Sequence, residues 1–307
     1  MRKRSWNLPF LATVLLAFLA IKGHAQTADL QQHLQDQYQN KIFVLRGFYS
    51  DEFLHYDATG APVGAPTPGD WTVDGFVLPS DLQVRGQRLE IEAKRLLVVS
   101  RNDSFQFYAD SQKKRKKADS VRIEVELGAA NATDAIDALF SSILLTNRDT
   151  LGTLVPDYWE PCVSAGLRSD QKYPLCHFSA ELLAIPGMVP GTDSHSDSES
   201  KQSSSSEMSY VHLYHVGKGV SPPKQTFVPE PQFSEAGRKA GVQGVVTLGL
   251  IVDSHGIPQN IRVLKPLGCG LDAEAVRTIN TWRFKPAEQE GHEPVAVEIA
   301  VEVDFHL

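Results

Sequence analysis

VQGVVTLGLIVDSHGIPQNIRVLK, residues 242–265, reads as a strand, a tight turn and a second strand. Val242, Val246, Leu248, Leu250 and Val252 recur on alternate positions, the two-residue period of a strand with one buried face. DSHG then turns the chain, with Gly256 supplying a positive φ, and IPQNIRVLK runs back. Upstream, PEPQFSEAGRKAG (229–241) predicts a short helix closed by Gly241, which has no side chain to oppose the left-handed cap conformation. Downstream, LDAEAVRTINTW (271–282) sets Leu271, Ala275, Val276, Ile279 and Trp282 on one helical face. After RFKPA, the stretch EPVAVEIAVEVDF (293–305) alternates strictly. Val295, Val297, Ile299, Val301, Val303 and Phe305 face one side, and Glu298, Glu302 and Asp304 the other. The order is αββαβ, ending in a half-buried antiparallel strand.

The ordered series GV.G.V.L...VD..G, then LD..A, then W.F.PA, then an alternating last strand resembles the TonB C-terminal domain family. That domain is the periplasmic end of energy transducers that reach outer-membrane receptors. The resemblance covers residues 220–307. It implies a chemistry of backbone pairing, in which the last strand receives an extended receptor segment, the TonB box, as an added strand. Carried over, the pairing strand is Val295, Ala296, Val297, Glu298, Ile299, Ala300, Val301, Glu302 and Val303. The family also approaches its receptor through a Gln-Tyr-Pro before the first helix. The matching positions here are Gln232, Phe233 and Ser234. Phe233 keeps an aromatic ring, which serves as well for packing the helix as for touching a partner, and Ser234 replaces the proline. A full transducer adds an anchor helix with a polar face and a long proline-rich spacer. Neither is visible in this sequence, so coupling to a proton-driven motor does not follow. Strand exchange into a homodimer stays open.

The chain has 307 residues, which suits two domains. Its start, MRKRSWNLPFLATVLLAFLAIKGHAQ, has a basic head, an apolar run from Leu8 to Ile21, and small residues Gly23 and Ala25. This is the pattern of a secretory signal peptide, residues 1–25, cut after Ala25. The expected location is the periplasm; left uncut, the segment would anchor the protein in the inner membrane and give its only membrane contact. Losing the four basic residues Arg2, Lys3, Arg4 and Lys22 would take the formal net charge from −7 to −11. An acidic exported protein is a poor partner for nucleic acid. The one basic run, Lys113 to Lys117, lies between two strand-like stretches and reads as a solvated hairpin loop, with contact to an anionic polymer or lipid as the alternative.

Residues 28–187 read as a first α+β domain with a mostly antiparallel sheet. Leu30, Leu34, Tyr38 and Ile42 predict an amphipathic helix leading into KIFVLRGFY. Residues 54–66 and 69–100 alternate apolar and polar positions between glycine turns, and 104–127 adds a hairpin. NATDAIDALFSSILLT (131–146) predicts a helix capped by Asn131 or Thr133, with Ala132, Ala135, Ile136, Leu139, Phe140, Ile143 and Leu144 inward. Cys162 and Cys176 share one segment and can form a disulfide in an exported protein, contributing about 3 kcal/mol. Cys269 reads as a small buried residue. Residues 188–215 are Ser-rich and almost free of apolar side chains, a flexible linker spanning about 25 Å; the C-terminal module would then occupy 216–307.

An enzyme would need a constellation that the sequence offers only weakly. His212 and His215 lack a fixed third metal ligand, and Asp51, Glu52, His55 and Asp57 cluster in SDEFLHYD without a nucleophile motif or phosphate loop. No catalytic residue, metal or cofactor is expected. Two function classes remain. One is a non-enzymatic periplasmic protein that binds an outer-membrane receptor or other envelope protein by strand addition, in transmembrane transport. The other acts through the first domain as an enzyme or ligand-binding protein, with the C-terminal module for docking; a deep polar pocket at Asp51, His55 or Asp57 would favour it. A structural tether to the cell wall is not separable from the first by sequence.

Overall fold

The computed structural model describes residues 28–108, 120–128, 133–168, 176–188, 213–217, 219–290 and 293–307. The predicted signal peptide, the basic run, the Asn131 cap, His212 and all but the ends of the predicted linker lie outside these residues. Among the described residues, no helix is long and apolar enough to cross a membrane.

The first domain is built on a five-stranded sheet. β1 (Phe43–Val44), β3 (Phe76–Arg85), β4 (Arg88–Leu96), β7 (Ser120–Glu126) and β2 (Phe53–Tyr56) lie in that order, and only the β2–β7 pairing is parallel. Leu89, Ile91, Ile123 and Val125 project from one face of the sheet into a core shared with α1 (residues 28–38) and α3 (Thr133–Ile143). Leu30 and Leu34 of α1 are buried there, as are Ile136, Leu139, Phe140 and Ile143 of α3. Two expectations are corrected. The helical period stops at Tyr38, so Ile42 lies outside α1, and Ala135 is exposed because the α3 face facing the sheet starts at Ile136.

A second layer consists of β5 (Val98–Arg101), β6 (Ser104–Phe107) and β8 (His177–Phe178), with α2 (Trp71–Asp74), α4 (Glu160–Leu167) and α5 (Ala180–Leu183). Among the described residues, the hairpin predicted over 104–127 is absent. β6 pairs with β5 and β8, whereas β7 pairs with β4 and β2. Both strands alternate, but their apolar sets serve different cores: Phe105 stacks on Phe178 at 4.9 Å and meets Trp71 edge-on, while Val121, Ile123 and Val125 line the first core. Cys162 and Cys176 are disulfide-bonded, as the sequence suggested, and join α4 to the residue before β8.

The C-terminal module has the predicted order: α6 (Glu235–Ala240), β10 (Gly244–Val252), β11 (Pro258–Lys265), α7 (Leu271–Ile279) and a last strand. β9 (Lys224–Phe227), β12 (Arg283–Lys285), β13 (Ala287–Glu288) and β14 (Pro294–Val295) add two short pairs, and β15 (Val297–Phe305) closes the chain. Gly241 ends α6 at φ 63°, and Gly256 turns β10 into β11 at φ 78°. At Gly256 a side chain is excluded, since a Cβ would lie 1.8 Å from the Phe284 carbonyl oxygen. Leu271, Ala275, Val276 and Ile279 of α7 are buried against the sheet with Trp282. The same hydrophobic cluster continues through Trp71, Phe105 and Trp159 of the second layer. The cores therefore do not divide where the sequence divides the domains. Met188, assigned to the linker, is fully buried in this cluster.

Candidate functional site: an open strand edge

The C-terminal sheet has three strands in the order β11–β10–β15, so β11 and β15 each carry an outer edge. The β11 edge is met by the first domain around Val263. Val263 N–H donates to the Tyr158 carbonyl at 2.9 Å, α4 packs alongside, and the Cys176 sulfur rests 3.9 Å from the Leu264 carbonyl. That last approach is a packing contact, because a disulfide sulfur has no proton to donate. The loop after β11 is clamped as well. Ser100 N–H donates to Leu267, Cys269 N–H to Val98, each at 2.8 Å, and Gly270 N–H to Thr72 Oγ1 at 2.9 Å. Gly268 is required here, since a Cβ would stand 2.3 Å from the Val98 carbonyl oxygen.

Asp272 fixes this loop from within. Fully buried, it accepts from Leu267 N–H at 2.9 Å and Gly268 N–H at 2.7 Å. Burial pushes its carboxyl up to about 7, against the pull of those donors. Cys269 is buried beside it, and burial pushes its thiol up to about 12, which leaves it inert as a nucleophile.

The β15 edge is different. β15 pairs with β10 from Gly244 opposite Phe305 to Val252 opposite Val297. Its other side meets one residue of the protein among those described: Tyr214 forms a parallel bridge with Val297, its N–H donating to the Ala296 carbonyl at 2.9 Å. A parallel bridge centred on Val297 takes its bonds from the flanking positions 296 and 298, so the even-numbered residues point outward. The backbone groups of Ala300, Glu302 and Asp304 are thus left for a further strand. Ala300, Glu302 and Asp304 are exposed, and Glu298 is half-buried. Arg262 pairs with Glu298 across Gly249, where a Cβ would come within 3.3 Å of the guanidinium Nε. His306 lies 2.7 Å from Asp304.

The predicted site residues separate on this geometry. Val297, Val301 and Val303 are buried on the inner face and Ile299 is half-buried, while Glu298 and Ala300 lie on the outer face. Val295 is corrected: it belongs to β14 and pairs with Ala287 of β13, so the open edge starts after Ala296. Phe233 packs edge-on against Phe305 at 5.4 Å, at the far end of β15, and Gln232 beside it is exposed. Ser234, standing where the family has proline, caps α6 by accepting from Gly237 N–H at 2.9 Å. The sequence reading missed Tyr214, the Arg262 route over Gly249, and the covering of β11.

The alternative site in the first domain is a small, half-open pocket. Asp51, Phe53, His55, Tyr56, Pro62 and Val63 surround this space of about 170 Å³. Asp51 accepts from Thr67 N–H at 2.6 Å, and Asp57 holds its own turn through Thr59 and Ala61, which lowers its carboxyl below the usual range. His55 stands 3.5 Å from Glu126.

Residues 229–307 match the family described as Gram-negative bacterial TonB protein C-terminal. This segment is a TonB C-terminal domain. The solution NMR structure of the Pseudomonas aeruginosa TonB C-terminal domain is matched at 20% identity and a TM-score of 0.24, over 31% of this chain and 97% of that one. No curated protein matches the chain. The TonB C-terminal domain is extended upstream of the match by residues that pack on it: β9 pairs with β12, and Val220 bridges Gln289.

Proposed function

We propose that this is a non-enzymatic protein of the cell envelope, working in the periplasm, that captures an extended segment of an outer-membrane receptor or another envelope protein by strand addition to β15. The observation that carries this reading is the asymmetry of the sheet: the first domain bonds to the β11 edge at Val263 and packs α4 beside it, and among the described residues β15 keeps outward amides and carbonyls unpaired at Ala300, Glu302 and Asp304. An unpaired edge with a buried inner face is a template for another strand. The family of residues 229–307 supports an envelope location and a receptor partner. A role in transmembrane transport follows if that partner is a receptor.

The test is photo-crosslinking from position 298 in envelope extract, with the crosslinked segment sequenced. The expected product joins β15 to an extended segment of one envelope protein, and Ala300→Pro, which removes one outward donor, abolishes it. Crosslinks that survive Ala300→Pro, or none at all from wild type, would contradict the proposal.

A further inference from the structure

Resting on the strand-addition reading above, we infer that the captured segment alternates basic side chains with apolar ones. A strand laid against β15 places side chains on two faces. On the solvent face its neighbours are Glu298, Ala300, Glu302 and Asp304; on the core side they are Ile299, Val301 and Val303. The solvent face thus offers three carboxylates in four positions. Arg262 answers Glu298, and His306 stands beside Asp304, but Glu302 is exposed and has no ion-pair partner among the described residues. Ala300, small and set between Glu298 and Glu302, leaves room for a long aliphatic stem whose cationic head reaches either carboxylate. On the core side Ile299 is half-buried between the buried Val297 and Val301, an apolar position that an added apolar side chain would cover.

Charge also argues against a second copy of β15 as the occupant. Antiparallel self-pairing centred on Ala300 sets Glu298 opposite Glu302, and pairing centred on Val301 sets Glu298 opposite Asp304. Like charges directly opposite are destabilising, whereas opposite charges are favourable. A basic strand turns every one of these juxtapositions into an attraction.

Labelled ten-residue peptides alternating Val with Lys, Val with Ser and Val with Glu, titrated against the full chain by fluorescence anisotropy, test this. The Lys peptide is expected to bind about tenfold more tightly than the Ser peptide, with the Glu peptide weakest. The differences should collapse at about 1 M salt, where charges are screened within about 3 Å. Glu302→Lys should narrow or reverse the order. Equal binding of all three peptides would overturn the charge inference and leave strand addition standing, while binding by none would remove both. Lys-peptide binding that persists in Ala300→Pro would be capture by charge without pairing, and would also overturn the inference.

Discussion

The two edges of the C-terminal sheet have the same backbone chemistry and opposite fates. At β11, Tyr158 and α4 pair with or cover the strand, and the Cys162–Cys176 bridge holds that cover in place. At β15, among the described residues, only Tyr214 touches the edge, and it does so at one end. An unpaired edge is a liability that proteins usually cover or blunt. Here one edge joins the first domain, and the other carries exposed carboxylates beside its outward backbone groups. The first domain therefore does structural work for the C-terminal one, and it leaves the β15 edge for the proposed strand addition.

Removing the covered side should cost most. Trp159 is fully buried and meets Trp71 edge-on at 5.2 Å in the core shared by both domains. Trp159→Ala should destabilise the protein by about 3–5 kcal/mol, read as a lower midpoint in denaturant unfolding. Replacing Cys162 and Cys176 by Ser should cost about 3 kcal/mol and speed amide exchange at Val263, with β15 unchanged. Proline separates the two sides of β15 itself. Ala300→Pro deletes an outward N–H and should cost about 1 kcal/mol or less while abolishing strand addition, whereas Val301→Pro breaks the ladder to β10 and should lower stability several times more.

The last effect concerns pH. The folded Asp272 carboxyl holds its proton to about 7, against 3.8 as the ordinary value. The folded state therefore binds more protons than the unfolded state between these values, so this contribution to stability is present at the acidic end and is lost as pH rises through 7. Asp70 and Asp74 are also raised, chiefly by burial, and act in the same direction. Asp272→Asn should give a shallower fall of the unfolding midpoint between pH 4 and pH 7 than wild type.

What could be read from sequence was what local periodicity encodes. The alternation from Val295 to Phe305, the α7 face and the Gly241 and Gly256 turns each bury one side of a regular element, so pattern and structure coincide. The Cys162–Cys176 pair was legible because the two lie close together in one segment of sequence. The covering of β11 was not, since Tyr158 and Val263 meet only through tertiary packing, as do Thr72 and Gly270, 198 positions apart. β6 and β7 were misread as partners because alternation fixes a strand's faces and leaves its neighbour unspecified. Tyr214 was assigned to the linker because a single-residue bridge leaves no pattern. The candidate edge was thus legible as a strand, and the contact of the first domain with the opposite edge at Val263 is visible only in the structure.

Residue-resolved amide exchange along β15 tests the central claim most directly. In the free protein the outward amides of Ala300, Glu302 and Asp304 should exchange fast and those of Ile299, Val301 and Val303 slowly, and a bound partner segment should protect the first set alone. Uniform slow exchange along β15, or partner-induced protection confined to the first domain, would contradict it.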